Sequence, residues 1–95
     1  MQTLIKRCLA YGVTILPYKL NSILEFYEKY KLPDDVLCSL SKENLEKYIK
    51  GLSLSSNYEA RDWTKGHKIL IGLGFKKVER NQFHRTFVSL EYPDF

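Results

Sequence analysis

Apolar residues recur at helical spacing through the first three quarters of the chain, and the period shortens to two only near the C-terminal end. Leu4, Ile5, Cys8 and Leu9 mark a short helix, after which Gly12-Val13-Thr14-Ile15-Leu16 reads as a strand or extended lead into Pro17. Leu20, Ile23, Leu24, Tyr27 and Tyr30 share one face of a helix from Lys19 to about Lys31, with Glu25 and Glu28 toward water and Pro33 closing the element. Pro33-Asp34-Asp35 predicts a further helix start that turns Val36, Leu37 and Leu40 inward. Ser41 has the chemistry of an N-cap for a helix over Lys42–Lys50, whose stripe is Leu45, Tyr48, Ile49 and Leu52, and Gly51 is placed to take the left-handed position at its end.

Ser53-Leu54-Ser55-Ser56-Asn57 predicts a loop, and Ser56 with Glu59 has the spacing of a capping box opening the next helix. From about Asn57 to Gly72 the inward stripe is Ala60, Trp63, His67, Leu70 and Leu73, while Arg61, Lys65 and Lys68 repeat at i, i+4 and i+7 on another face. Gly66 in the middle weakens that helix by about 1 kcal/mol relative to alanine. Beyond Gly74, Phe75 to Arg80 and Phe83 to Tyr92 are rich in aromatic and β-branched residues, with Asn81-Gln82 as the turn of a hairpin that Pro93 ends. On the second strand Phe83, Arg85 and Phe87 share one side, and His84, Thr86, Val88 and Leu90 the other.

Ninety-five residues with 44% hydrophobic and 27% charged side chains describe one globular domain, residues 1–95, large enough for a modest core without staples. The class expected is α+β, mostly helical. Charge sharpens the picture. Residues 1–60 hold 8 basic and 7 acidic side chains, whereas the window from Arg61 to Arg85 holds seven basic ones against Asp62 and Glu79, a local net of +5. A basic helix followed by a basic hairpin suits the phosphate backbone of a nucleic acid.

Other chemistries find less support. Cys8 and Cys38 stand alone and read as buried thiols, neither a disulfide framework nor half of a zinc motif. His67 and His84 lack Cys, Asp or Glu neighbours at ligand spacing, so no metal or other cofactor is expected. Asp34 and Asp35 are explained by the helix dipole rather than by acid–base work, and no nucleophile elbow or phosphate-cradling glycine loop occurs, so an enzyme is not expected. The longest apolar run, Ile69 to Phe75, is far short of a membrane span, and the N-terminus lacks the order of a secretory signal, so a cytoplasmic protein with no membrane contact is expected.

Helix, polar turn, basic helix and basic hairpin is an order that resembles a winged helix-turn-helix DNA-binding domain, with the correspondence running over residues 41–92 and residues 1–18 as an N-terminal extension. Within it, Leu70-Ile71-Gly72-Leu73-Gly74-Phe75-Lys76-Lys77-Val78 resembles the helix-to-wing junction of winged-helix domains in phage, plasmid and genomic-island replication proteins. The chain carries no helicase segment of its own, which implies a stand-alone accessory to replication or transcription control. The resemblance implies that Tyr58–Gly72 enters a groove, that Arg61, Thr64, Lys65 and Lys68 contact it, and that Lys76, Lys77, Arg80 and Arg85 hold phosphates from the wing. Phe83 and Phe87 are candidates for stacking on unpaired bases, whereas Trp63 reads as core. Double- and single-stranded DNA both remain open as partners. So does a different class, a non-enzymatic interaction or inhibitor protein that occludes a host or competing nucleic-acid enzyme, using Ile69, Ile71 and Phe26 as an apolar patch that a homodimer would use equally well; a replication enzyme is a further protein partner to expect.

Overall fold

The computed structural model describes residues 3–56 and 62–93. Among them are five helices, α1 Thr3–Tyr11, α2 Pro17–Lys29, α3 Asp34–Ser39, α4 Lys42–Ser55 and α5 Asp62–Gly72, and two strands, β1 Lys76–Gln82 and β2 Arg85–Glu91. None of the described helices is long and apolar enough to cross a membrane.

Helix starts and stops follow local chemistry. The α1 chain reverses at Gly12, where Val13 N–H donates to the Cys8 carbonyl at 2.9 Å. No strand follows; residues 13–16 lead unpaired into α2, which opens on Pro17 at its first turn. Asp34 and Asp35 occupy the first turn of α3. The Ser41 hydroxyl caps α4 by accepting from the Asn44 N–H at 3.2 Å. At the far end of α5, Phe75 N–H reaches the Leu70 carbonyl (3.2 Å) and Gly74 N–H that of Ile71 (3.0 Å), a closure that needs the φ of +111° at Gly74.

Two sequence expectations fail at the junction of α4 and α5. Gly51 does not end α4, and Ser53–Ser55 are not loop: the helix runs on to Ser55 because Leu52 and Ser55 are buried and Gly51 packs against Leu70 of α5. Gly66, read from sequence as a weak point, is the closest approach of the two helices, since a Cβ there would lie 2.5 Å from the Ser55 nitrogen and 2.8 Å from the Gly51 carbonyl oxygen. The capping-box partner Glu59 and the first turn proposed for the basic helix, Tyr58 to Arg61, lie outside the described residues.

Leu4, Ile23, Leu32, Leu37, Leu45, Leu52 and Leu70 form the centre of the core, with Tyr48 fully buried among them. Its hydroxyl donates to the Tyr30 carbonyl at 2.7 Å, satisfying the one polar atom that the ring takes inside. The Tyr48 ring lies nearly parallel to Phe75, which anchors the start of the hairpin to the helices. Of the cysteines, Cys8 is buried but Cys38 is exposed, because it sits on the outer side of α3; burial pushes the Cys8 thiol up from its ordinary pKa.

The hairpin turn is Phe83-His84, not Asn81-Gln82. Both residues have positive φ, +53° and +61°, the backbone of a two-residue turn that matches strand twist. The register pairs Gln82 with Arg85 and Lys77 with Leu90. A turn at 81–82 would instead set buried Leu90 opposite Leu73, which is still hydrogen-bonded into the last turn of α5. Moving the loop by two residues keeps the face of every strand residue but takes Phe83 and His84 out of the strand.

Candidate nucleic-acid interface

Of the predicted base and phosphate contacts on α5, Thr64, Lys65 and Lys68 are exposed, as helical spacing opposite Gly66 and Leu70 requires. Arg61 lies outside the described residues. Thr64 and Lys68 border a groove of about 190 Å³ between α5 and the hairpin, shared with Trp63, His67, Ile71, Lys77 and Val88. The hairpin thus brings one of its predicted cations, Lys77, to the predicted helix face.

The other three hairpin cations do not join it there. Lys77, Glu79 and Asn81 share a face with Leu90, Val88 and Thr86, whereas Lys76, Arg80 and Arg85 lie on the opposite face with Phe87. All four are exposed. Lys77 pairs with Glu79 at 3.3 Å, and Arg80 with Glu91 at 3.4 Å, both in water where such pairs exchange readily for a phosphate. Phe87 stands directly across from Arg80 and is 52% exposed, and Phe83 at the turn is 83% exposed. Both stacking candidates therefore face solvent, and Phe87 does so beside Arg80.

Trp63 is not core. It is 41% exposed, because its position on α5 falls at the edge of the buried stripe, and the hairpin approaches that edge only as far as Lys77 and Val88. Its indole meets the His67 imidazole edge-on, centroids 5.4 Å apart, and the imidazole meets Tyr30 at 5.9 Å in the same manner. Burial first, then the nearby Lys29 and Lys77 charges, hold the His67 pKa below its ordinary 6.5, so the ring is neutral at pH 7. A neutral imidazole offers one donor and one acceptor.

Sequence reasoning passed over a second contribution to this surface. Lys47 and Lys50 of α4, with Asn44, border a groove of about 400 Å³ whose other wall is Lys68, Ile69, Gly72 and Leu73. Lys68 stands between the two grooves. In the sequence Lys47 and Lys50 alternate with Glu43 and Glu46, which cancels their charge in any window; in the fold Glu46 borders another groove with Lys19 and Val13, Lys50 reaches both grooves, and Glu43 is the partner of Lys47 at 3.5 Å. Their i, i+3 spacing was the available signal, but only the crossing of α4 and α5 turns it toward Lys68.

Among the described residues no three His, Cys, Asp or Glu side chains gather as a metal site would. The apolar patch expected at Ile69, Ile71 and Phe26 is divided: Ile71 is exposed, but Ile69 is half-buried and Phe26 packs against the core and the Tyr30 ring. No protein-family model, curated protein or solved structure matches the chain.

Proposed function

We propose that the chain is a small, non-catalytic DNA-binding module of the winged helix-turn-helix type, an accessory to replication or transcription control in a mobile element such as a phage. α5 is the helix that approaches the DNA, α4 supports it, and the hairpin is the wing. The observation that carries this reading is the shared groove, in which Thr64 and Lys68 from the helix meet Lys77 from the hairpin. A helix about 10–12 Å across fits the major groove, and cations on an adjoining hairpin can then follow the phosphates alongside it. Lys47 and Lys50 extend the same positive surface past Lys68, Lys65 adds an exposed charge one turn earlier on α5, and Arg80 and Arg85 hold backbone from the outer face of the wing.

The test is fluorescence anisotropy with a labelled duplex between about 50 and 200 mM salt. Wild-type affinity should fall steeply with salt, and Lys65→Ala with Lys68→Ala should flatten the slope by about two. An unchanged slope would remove this face from the interface.

A second reading, a protein that occludes a partner, is favoured by a different surface from the one its sequence suggested. Leu9 is 67% exposed on a groove that it lines with Ile5, Val13, Ile15, Leu20 and Leu24. Under that reading the lysine variants keep the partner, and Leu9→Ser loses it.

A further inference from the structure

The groove between α5 and the hairpin differs in chemistry from the rest of the basic surface. Its walls are mainly apolar, from Trp63, Ile71 and Val88, and its charged members are the lysines 68 and 77. At about 190 Å³ it is too small for a helix or strand and of a size for one planar ring system. Trp63 is the only tryptophan of the chain and leaves 41% of its surface in water at this point. Its orientation is set from one side by the edge-to-face run from Tyr30 through His67, which itself borders the groove. An aromatic ring, apolar walls and two ammonium groups complement a nucleotide: the base supplies a π-face and the flanking phosphates supply negative charge. A paired base inside an intact duplex cannot present that face.

We infer that the Trp63–His67 groove receives a single unpaired nucleobase of a DNA strand, stacked on the indole, with the adjoining phosphates on Lys68 and Lys77. The inference rests on the DNA-binding part of the reading above and replaces its duplex docking at this groove: Lys68 and Lys77 meet the phosphates that flank a stacked base of a single strand, in place of those that border a major groove. Thr64 and the His67 imidazole are the groups available to the base edge, and both tolerate more than one base because a hydroxyl and a neutral imidazole each donate and accept. Selection is accordingly for an unpaired position rather than for a sequence.

The lone tryptophan makes the groove its own reporter. The full chain is titrated with unlabelled blunt duplex and with unlabelled single strand of the same sequence while indole emission is read, and parallel anisotropy titrations with labelled strands give affinity. Single strand should quench Trp63 emission and bind more tightly than the duplex. Trp63→Ala should lose about tenfold in affinity for the single strand and stay within about twofold on the duplex, whereas Trp63→Phe, which keeps a ring, should lose less. Should the alanine variant fail to fold by circular dichroism, wild-type quenching and the phenylalanine variant decide the matter. Binding of single strand with unchanged indole emission overturns the inference and leaves DNA binding standing. Absence of an anisotropy change with either form at low salt overturns both.

Discussion

His67 shows at the scale of one residue how packing fixes a chemical state. It stands where three elements meet, with Tyr30 at the end of α2, Trp63 on its own helix and Lys77 on the hairpin. Burial and the Lys29 and Lys77 charges disfavour its protonated form, so its pKa in the folded chain lies below 6.5. The sign of the consequence follows. Above about pH 7 neither folded nor unfolded chain protonates the ring, and its contribution to stability is fully present. As pH falls through 6.5 the unfolded chain takes up the proton first, and folding stability declines until the folded pKa is passed. His67→Gln should remove that part of the decline. Thermal melts of wild type and variant at pH 5, 6, 7 and 8 check this, since carboxylates contribute equally to both; parallel pH profiles would mean that His67 is not desolvated. Trp63 beside it was misread from sequence for a geometric reason. It sits at the angular border of the buried stripe, and whether such a position is covered depends on how closely the hairpin docks, which no helical period encodes.

The packing of α4 on α5 governs the next scale. Helix propensity alone recommends Gly66→Ala, worth about 1 kcal/mol in a helix interior. Packing forbids it, because the added Cβ would meet backbone atoms of Ser55 and Gly51, which cannot turn aside as a side chain can. Gly66→Ala should therefore cost about 2 kcal/mol net, lowering the melting temperature by roughly 10 °C in a domain of this size. Gly51→Ala should cost less, since the atoms nearest its Cβ belong to the Leu70 and Ile69 side chains rather than to backbone. A Gly66→Ala variant as stable as wild type would mean that the helices do not cross this closely. The same packing explains what was legible. The helix starts at Asp34 and after Ser41 are local chemistry and are written in a few adjacent residues, whereas α2 opens at Pro17, two residues before the Lys19 expected, because a proline at the first turn starts a helix as readily as it ends an extended lead. The true end of α4 and the true role of its glycine are set by a partner helix that follows it, and the turn at Phe83-His84 by the need to seat Leu90 against the core. Neither leaves a local signature, and Asn81-Gln82 supplied a false one.

Across the whole molecule the question is whether the net charge of +4 acts as a diffuse attraction or as an aimed surface. The order of residues showed a basic second half. Folding redraws that boundary: Lys50 from the nearly neutral first half joins Lys68, while Lys76, Arg80 and Arg85 turn away from Lys77 to the other face of the hairpin. A diffuse attraction is indifferent to which lysine is removed, whereas an aimed surface is not. Lys6 on α1 is exposed and borders neither groove, so it serves as the matched control for Lys50. Each replacement by alanine lowers the net charge by one. If the lysines of α4 and α5 meet phosphates together, Lys50→Ala should weaken DNA binding and reduce the salt slope by about one, and Lys6→Ala should leave both nearly unchanged. Anisotropy between about 50 and 200 mM salt separates the two cases. Equal losses for the two variants would reduce the interaction to net charge alone, and α5 would then have no claim to be the helix that approaches DNA.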